Sequence, residues 1–441
     1  MRLRARLACS VLAMLILAAA SLPALAAARE FTLRGAVETA LERNFTVSAA
    51  ESGAQAAESG ARSARSAFGP VFSSTYGAER RQHDRTPSGN DQDRDLYTWQ
   101  VALTQNVFAG FSTLSSYQRA ALAEESAEAG IAKARVDLAN LVQEHFFTYL
   151  RAKLDVVSAQ DSLERLRSQL DSSRAFYDVG VSPRIDVLQA EVDVSTAESA
   201  LLVAENILET EKARLNTLLV LPMDADVEYV GDFVSTAFSL SLETCLERAF
   251  RLRPDIIMAE KAVGMADKDT TLAASGFYPS LDAHGIWSTQ GDDASASGSP
   301  ERRARFSEWT VGMTLQWNFF EWGRTYHDVQ QARHNTSKAR AEADNLRQEV
   351  TFSVKERLLA LGEAAKRIRV AQKGLEQATE AYRMSDARYR SQVGTMTDVL
   401  DAQAKLSLAE ASLAGARADY SIALSRIYAA MGLVNPDLKE R

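Results

Sequence analysis

The alternation of apolar and polar residues along this chain describes one pattern of elements that occurs twice. Each copy opens with a helical segment that begins after a capping residue, Thr32 or Ser241, and stops at a Phe-x-Pro sequence, Phe68–Pro70 or Phe277–Pro279. A segment of strictly alternating residues follows, and then a much longer one with an apolar residue at every third or fourth position. Side chains alternate along a strand and return to one face of a helix every three to four residues. Each copy is therefore predicted to contain a helix, a β-hairpin and a long helical hairpin.

The same residues recur in both copies at nearly constant spacing. The opening helices match at an offset of 209 residues and the later elements at 212. A duplication of this length indicates two copies of one large structural unit. We predict a first repeat at residues 29–221, a linker at 222–240 and a second repeat at 241–441. Matched residues include Leu33 with Leu242, Leu103 with Leu315, Tyr177 with Tyr389, and Asp186–Leu188 with Asp398–Leu400.

The second strand of each predicted hairpin has one apolar face. In Tyr97–Val107 and Trp309–Trp317 apolar or aromatic residues alternate with polar or small ones, with Gln105 as the one exception and aromatic residues near the ends. Such a face can cover a soluble core or contact lipid, and one segment does not distinguish the two. The turns before these strands, Arg80–Asp95 and Gln290–Ser307, are long and polar, as expected of loops in water.

The helical hairpins are far longer than a compact domain needs. The first long helix is predicted at about Gly110–Tyr177 and its counterpart at Gly323–Ser391, and neither stretch contains proline. About 70 residues at ~1.5 Å each make a rod of roughly 100 Å. The mixture of large and small residues in the apolar stripe indicates coiled-coil-like packing. The first stripe contains Val142, His145, Tyr149, Ala152, Val156, Ala159, Leu163, Leu166 and Leu170.

Short reversals connect the long helices to the helices that return. Ser182 before Pro183 is predicted to be an N-cap, with the proline in the first helical position. Thr395 together with Asp398 predicts a capping box at the start of the second returning helix. Because the reversals are short, each pair of helices is expected to be antiparallel.

The N-terminus and the composition indicate export. Residues 1–28 have the basic start, the apolar stretch and the Ala24–Ala26 cleavage site of a secretory signal peptide. Removing its three arginines from the 50 basic residues leaves 47 against 58 acidic ones, a net charge of −11 that argues against nucleic-acid binding. Cys245 is the only cysteine outside the signal peptide, so that no intrachain disulfide can form.

Four strands per chain cannot close a barrel in a membrane. An open sheet edge is not viable in lipid, and membrane barrels have about eight strands or more. If the strands cross a membrane, the chain must therefore oligomerise, and a trimer would supply twelve strands above twelve helices. The predicted fold class is mainly α with a transmembrane β-barrel part, in which a trimeric barrel continues into an α-helical barrel.

No sequence signature of an enzyme is present. The chain contains no P-loop, Rossmann fingerprint, GxSxG elbow or HExxH spacing. His327 and His334 lie seven residues apart on one helix face, but no cluster of histidines and carboxylates surrounds them, and a solvated face explains them better than a metal site. We therefore expect no catalytic residue, no bound metal and no cofactor.

Short motifs follow one another in a fixed order along the chain, and several of them occur in both copies. They are Leu33–Val37 with Ala40–Leu41 and Asn44, Tyr278–Pro279, Leu103–Phe108, Leu315–Phe320, Tyr177–Gly180, Asp186–Ala190, and Tyr389 with Asp398–Ala402. In this ordered combination the mature chain resembles the TolC family of outer-membrane efflux proteins over its whole length. The resemblance implies a homotrimer with a twelve-stranded outer-membrane barrel and a periplasmic helical tunnel. It also implies that the tunnel stays closed at its inner tip until a periplasmic adaptor and an inner-membrane transporter, of the RND or ABC type, engage it.

Two aspartates are candidates for the pore entrance. Asp398 and Asp401 are three residues apart and therefore lie on one helical face. By resemblance they match the aspartates of the constricted periplasmic entrance, where a trimer would form two carboxylate rings that favour cations and allow block by polyvalent cations. The alternative is that Asp398 only caps its helix and Asp401 is a solvated surface residue.

Two further residues are candidates for a periplasmic gate. Asp186 and Tyr389 match positions that hold neighbouring helical hairpins together in the family. One position departs from the family pattern, because Gly394 stands where members with this network have a basic residue. The closing contacts must therefore differ, and Tyr389 has the alternative of being a plain aromatic residue of the stripe. Candidates to replace the missing charge are Arg184, Arg388 and Arg390.

Three functions fit this architecture. The leading hypothesis is a passive exit duct in the outer membrane, through which a tripartite pump expels small molecules. The second is the outer-membrane channel of a type I protein secretion system driven by an ATP-powered exporter. The third is a periplasmic coiled-coil scaffold without a channel, against which the alternating strands count.

Overall fold

The computed structural model of the chain describes residues 29–83, 92–234, 236–291, 293–296 and 306–435. The predicted signal peptide, residues 1–28, lies outside the described residues, as do parts of both polar turns. Up to the second copy, the elements are β1 (Arg29–Phe31), α1 (Leu33–Arg43), α2 (Phe45–Ser66), β2 (Val71–His83), β3 (Gln92–Ala109), α3 (Ser112–Asp178), α4 (Arg184–Leu218) and β4 (Val227–Tyr229). The second copy contains α5 (Leu242–Leu252), α6 (Pro254–Ala274), a 3₁₀ turn (Ser275–Phe277), β5 (Ser280–Gly291), β6 (Phe306–Gln316), α7 (Arg324–Arg390) and α8 (Met396–Ala430).

The helical hairpins of the two copies are built from helices of equal length. The long helices α3 and α7 each have 67 residues, and the returning helices α4 and α8 each have 35. Both pairs begin at the offset of 212 residues that the sequence shows. Every residue of one helical hairpin therefore has an equivalent in the other.

The opening helices begin and break where the sequence provides the signals. The hydroxyl of Thr32 accepts a hydrogen bond from the amide of Gly35 at 3.3 Å, and Ser241 caps α5 in the same way. In the first copy Asn44 ends α1, and its side chain then caps α2. In the second copy Pro254 occupies the first turn of α6, where its missing N–H costs no helical hydrogen bond.

The four long strands form one antiparallel sheet in the order β2-β3-β5-β6. The hairpins of the two copies meet through β3 and β5, in a register that places Val101 opposite Trp287. Strands β2 and β6 lie at the edges and have no further partner strand among the described residues. A single chain therefore presents two open sheet edges.

One face of this sheet is apolar and the other is mostly polar. Residues directly opposite each other in neighbouring strands share a face, so that the registers assign each side chain. Trp309 and Val311 on the apolar face are 76% and 74% exposed, and the apolar face therefore covers no soluble core in the described part of the chain. The apolar face contains Phe72, Tyr76, Trp99, Val101, Leu103, Leu281, Trp287, Trp309, Val311, Met313 and Leu315. The polar face contains Ser73, Thr75, Thr98, Gln100, Thr104, Asp282, His284, Ser288, Thr310 and Thr314.

The helices form two antiparallel hairpins, α3–α4 and α7–α8, which pack side by side through α3 and α8. Most of the predicted stripe of α3 is buried, including Val142, Tyr149, Leu163 and Leu170. Among the described helices, none has the continuous apolar length that a membrane crossing requires. Large apolar cores surround the middle of the long helices, one near Phe146 and the other near α5 and α8.

The segment predicted as a plain linker contributes a strand to the first core. Within it β4 pairs in parallel with β1, so that Phe31 lies opposite Tyr229. Tyr229 is fully buried, donates a hydrogen bond to Asn216 Oδ1 at 2.7 Å and packs edge-on against Phe146. Strands of three residues are too short to show a period of two, which explains why the sequence did not reveal them.

Two local predictions were wrong. Ser182 does not cap α4; its amide and that of Val181 donate to the carbonyl of Phe176, so that Ser182 belongs to the reversal that follows α3. Pro183 stands at the N-cap position instead. The first β-hairpin also extends into the predicted polar turn, with His83 opposite Gln92, because backbone pairing outside a core does not need apolar side chains.

Candidate functional site

Both helical hairpins reverse through the same hydrogen-bonded turn. In the first, the amide of Val181 donates to the carbonyl of Phe176 at 2.8 Å, and the equivalent bond in the second is 2.9 Å long. This turn places one residue in the left-handed region, Gly180 with φ +77° in the first hairpin and Gln392 with φ +60° in the second. Glycine adopts this conformation freely, whereas glutamine is strained there. The second tip is therefore held in shape by its surroundings rather than by its own turn residue.

Asp398 is both a helix cap and an exposed charge. Its Oδ2 accepts a hydrogen bond from the amide of Thr395 at 3.1 Å, and the hydroxyl of Thr395 accepts one from the amide of Asp398 at 3.2 Å. The predicted capping box is thus confirmed. These bonds, to the side chain and then to the backbone of Thr395, lower the pKa of Asp398. The carboxylate is exposed at the start of α8 and keeps its negative charge.

Asp401 lies on the same face of α8 and is also exposed. Its Oδ2 is 2.5 Å from Nζ of Lys405, one helical turn away. Both side chains of this pair are well exposed, and such pairs contribute little to stability. Asp401 also borders a groove of about 430 Å³ between α4 and α8, whose apolar lining includes Ile185, Leu188 and Leu400.

Tyr389 lies between the two hairpins. Only 4% of it is exposed, and its hydroxyl is 3.2 Å from the hydroxyl of Ser173 on α3. Its ring packs edge-on against Phe176, also on α3, with 5.6 Å between the ring centroids. Tyr389 therefore joins α7 of the second hairpin to α3 of the first, in addition to its place in the apolar stripe.

Asp186 is not joined to Tyr389. It lies in the first turn of α4, where its amide donates to the carbonyl of Pro183 at 3.1 Å. Within the described part of the chain, its carboxylate has neither an ion-pair partner nor a hydrogen bond to Tyr389. The structure of one chain thus brings Tyr389 into a contact between hairpins and leaves Asp186 at the surface.

The three arginines near Gly394 do not replace the missing basic residue within one chain. Arg390 bonds to Asp386 of its own helix, with 3.0 Å between Nε and Oδ1. Arg184 and Arg388 form no ion pair among the described residues. Gly394 packs closely on α7, because a Cβ atom there would lie 3.1 Å from Cβ of Arg388.

A polar network between α3 and α8 was not predicted from the sequence. The guanidinium of Arg165 donates to Glu410 Oε2 and to Gln403 Oε1, each at 3.1 Å. Ser158 donates to the same oxygen of Glu410 at 2.8 Å, and Gln403 donates to Ser162 at 3.2 Å. The side chains of Arg165 and Glu410 are each 24% exposed. We call this network the Arg165 cluster.

The Arg165 cluster differs in chemistry from the interior of a hairpin. Between α3 and α4 at the same level, the contacts are made by Leu163, Leu166 and Ala197. Between α3 and α8 at this level, the hydrogen bonds of the Arg165 cluster lie beside the apolar contact of Leu400. At this level the two helices of the first hairpin are therefore joined mainly by apolar packing, whereas the two hairpins are also joined by polar groups.

Tight turns with aromatic neighbours connect the sheet to the long helices. Gly110 and Phe111 both have positive φ, as do Trp322 and Gly323 in the second copy. In the first copy only glycine fits at position 110, because a Cβ on Gly110 would lie 2.5 Å from the carbonyl oxygen of Ser275. Phe111 packs edge-on against a tyrosine of the second copy, while Trp322 is 89% exposed. The junction of the first copy is thus partly covered, with Phe111 51% exposed, and that of the second is more exposed.

The predicted absence of a metal site concerns His327 and His334 on α7. Among the described residues, no group of three or more His, Cys, Asp and Glu side chains is placed to hold a metal ion. The ring of His327 packs edge-on against Tyr326.

Comparison with known proteins identifies the family. The sequence model of the outer membrane efflux protein family matches residues 36–219 and 245–433. The chain is 22% identical over 385 residues to the outer membrane protein TolC of Vibrio cholerae, with 84% of each chain covered. It is 23% identical over 407 residues to the alkaline protease secretion protein AprF of Pseudomonas aeruginosa, which covers 88% of this chain and 82% of the relative.

A solved channel has the same fold. The Campylobacter jejuni CmeC outer membrane channel superposes with a TM-score of 0.82 at 16% identity, over 92% of this chain and 86% of the channel. The family and these relatives are channel and secretion proteins rather than enzymes. The chain therefore belongs to the outer membrane efflux protein family and is an efflux channel protein of the outer membrane, as the sequence predicted.

Proposed function

We propose that three copies of this chain form the exit duct of a tripartite efflux system. Three sheets would close a twelve-stranded barrel, and six helical hairpins would form a tube beneath it. A periplasmic adaptor and an inner-membrane transporter would engage the tip and drive small molecules through the passive duct. The observation that carries this proposal is a sheet with two open edges and an exposed apolar face, which requires both further strands and lipid.

The contact between the two copies suggests how the subunits meet. We take residues 29–221 and 241–441 as two equivalent units. Within one chain, the first unit contacts the second. We expect the second unit to make the same contact with the first unit of the next chain. In one chain Leu103 of β3 lies opposite Gly285 of β5. Leu315 of β6 is equivalent to Leu103, and Tyr76 of β2 is equivalent to Gly285. We therefore expect Leu315 to lie opposite Tyr76 of the partner subunit.

The exposed aromatic junction and the exposed side of α4 support the same arrangement. Trp322 is equivalent to Gly110, which packs against the 3₁₀ turn of the second copy. The segment equivalent to that turn, near Phe68, would cover Trp322 in the trimer. On α4, Leu188, Val192 and Val203 line an open apolar groove at positions equivalent to part of α8. Because α8 packs against α3, we expect α4 to pack against α7 of the partner subunit.

Paired cysteines test this closure. In a Cys245→Ser background, Leu315→Cys together with Tyr76→Cys is expected to give disulfide-linked dimers and trimers in outer membranes, detected by non-reducing electrophoresis. The control pair is Leu315→Cys with Gly77→Cys, because a shift of one residue moves the side chain to the other face of the sheet. Equal cross-linking of both pairs, or none in either, would contradict the proposed register.

We assign entrance and gate to the tip. Asp398 and Asp401 would form two carboxylate rings at the periplasmic entrance, since both are exposed on one face of α8. Tyr389 would hold the entrance closed through its contact with Ser173. Asp186 would contribute from the surface of α4, towards a neighbouring subunit.

Type I protein secretion is the second candidate, because one relative is named as an alkaline protease secretion protein. Both functions use the same duct and differ in the machinery at its tip. The periplasmic scaffold is set aside by the family assignment.

Capturing the partners of the tip separates the two candidates. Cysteines at Arg184 and Val393 stand on the two reversals, and Val393 is 69% exposed. A photoactivatable cross-linker is attached to these cysteines. Capture of an adaptor that is associated with a proton-driven RND pump indicates small-molecule efflux. An adaptor associated with an ATP-driven exporter indicates protein secretion. If the same probe placed at Asp344, far along α7 from the tip, captures the adaptor equally well, the tip is not the docking site.

A further inference from the structure

Three arginines line a cleft between α7 and α8 that the channel function does not explain. The cleft has a volume of about 300 Å³ and lies at the level of the apolar cores, far from the tip. Arg357 and Arg367 enter it from α7, and Arg426 enters it from α8. Arginine is suited to carboxylate and phosphate groups, because its planar guanidinium donates parallel hydrogen bonds.

Two of these arginines already have carboxylate partners. Arg426 binds both oxygens of Glu144 on α3, with distances of 2.9 Å from Nε and from Nη2. Arg367 donates from Nη1 to Oδ2 of Asp419 at 3.1 Å. These pairs fix two walls of the cleft and leave one guanidinium to be accounted for.

Arg357 is half-buried and has no carboxylate partner among the described residues. Its Nε donates to the hydroxyl of Ser353, one turn earlier, at 3.2 Å. Burial, and then the charges of Arg426 and Arg253, lower the pKa of Arg357, and the nearby carboxylates of Glu144 and Glu356 offset only part of this shift. A guanidinium withdrawn from water beside other positive charges is unfavourable unless an anion compensates it.

In the first copy, the residue equivalent to Arg357 has a carboxylate partner. At the offset of 212 residues, the equivalent of Arg357 is His145 and the equivalent of Ala423 is Glu211. In the first copy Nδ1 of His145 is 3.0 Å from Oε2 of Glu211. The second copy keeps a basic residue at the one position but has a methyl group instead of a carboxylate at the other. Ala423 lines the cleft, so that the space is open where the first copy has its own carboxylate.

We propose that this cleft binds a small oxyanion, a phosphate or a carboxylate group, whose oxygens take the place of the Glu211 carboxylate and bind Arg357. Arg367 and Arg426 add positive potential from their paired positions, while Asp419 and the exposed Glu363 limit the site to modest affinity.

Binding is measured on the detergent-solubilised full-length protein. Inorganic phosphate and citrate are added separately, with ionic strength matched by sodium chloride, and followed by titration calorimetry and by the midpoint of thermal unfolding. If only phosphate raises the unfolding midpoint and gives a saturable heat, the ligand is a phosphate group. If only citrate does so, the ligand is a carboxylate group. The proposal is overturned if neither anion differs from chloride.

Three variants locate the binding. Arg357→Gln is expected to weaken binding by about tenfold or more, since a charge-assisted hydrogen bond is lost. Ala423→Glu restores the partner present in the first copy, so it is expected to abolish anion binding and raise the unfolding midpoint without any anion. Lys366→Gln removes an exposed charge of α7 outside the cleft and is expected to bind like wild type. Unchanged binding in both Arg357→Gln and Ala423→Glu would place the anion elsewhere and overturn the proposal.

Discussion

At the scale of single residues, Asp398 combines two tasks that proteins often divide between two side chains. Its carboxylate closes the capping box of α8 and still faces water at the tip. Because its pKa is lowered in the folded protein, its capping contribution is fully present above the ordinary value of 3.8 and is lost as the pH falls through the lower folded value. Its charge therefore persists to lower pH than that of an unconstrained aspartate.

Asp401 offers the cleaner test of charge at the entrance. Asp401→Asn removes a carboxylate whose only described partner is Lys405, and the start of α8 is expected to remain intact. The cation preference should fall, measured as a smaller reversal potential across a salt gradient in planar bilayers. The remaining preference should persist below about pH 3.8, because it rests on Asp398.

Two comparisons make this result decisive. Asp344→Asn removes an exposed charge far along α7 and is expected to leave the reversal potential unchanged. Asp398→Asn should reduce the cation preference as well, and it should also weaken the start of α8. If neither aspartate of the tip affects the reversal potential, the assignment of both to the entrance is wrong.

At the scale of elements, the contacts within and between hairpins have different chemistry. Pulling α3 from α4 exposes Leu163, Leu166 and Ala197 to water, which is unfavourable in proportion to the apolar area. Pulling α3 from α8 at the same level exposes charged and amide groups that water can solvate. Each hairpin is therefore expected to move as a unit, and the Arg165 cluster is expected to resist that movement.

A double-mutant cycle tests the Arg165 cluster. Arg165→Met and Glu410→Gln are each expected to lower the free energy of unfolding by about 1–3 kcal/mol, because each leaves a half-buried partner without its opposite charge. The double variant should lose less than the sum. Single-channel conductance should rise in both single variants if the cluster holds the tip closed.

An exposed pair within one hairpin is the matched control for this cycle. Arg167 and Glu198 join α3 to α4 with 2.7 Å between Nη2 and Oε1, but their side chains are 59% and 48% exposed. Their coupling is expected to be below about 1 kcal/mol, with no change in conductance. Equal coupling and equal conductance in both cycles would show that contacts between hairpins have no special part in gating.

The elements that could be predicted are those whose signals are local. The capping box at Thr395 and the long helices follow from neighbouring residues, and the duplication made each signal visible twice. The pairing of β1 with β4 joins two strands of three residues that lie far apart in the chain. Arg165 and Glu410 are separated by 245 residues, and they become partners only when the two hairpins lie side by side. The sequence could therefore predict the tip as a candidate site, but it could not predict the contacts between the hairpins around it.

At the scale of the whole molecule, the β-sheet of a single chain needs further strands to pair its edges. In the described part of the chain, the sheet has an apolar face and two unpaired edges, and neither water nor lipid satisfies both. The two strands that join the copies, β3 and β5, are separated in the chain by the whole first helical hairpin. They can therefore pair only after much of the chain is available. Assembly and membrane insertion are therefore expected to be closely linked.

The equal lengths of the two helical hairpins restrict how this protein can change over evolution. A deletion of one turn in α3 alone would shorten one side of its hairpin and shift its side chains out of register with α4. The same deletion made in α3 and α4 together would leave one hairpin shorter than its neighbour, so that the helices would end at different levels around the mouth of the proposed tube. Only four matched deletions, in α3, α4, α7 and α8, keep the rim level. The length of the tube is therefore expected to vary between homologues rarely and in whole steps, whereas loops at the opposite end can lengthen one residue at a time.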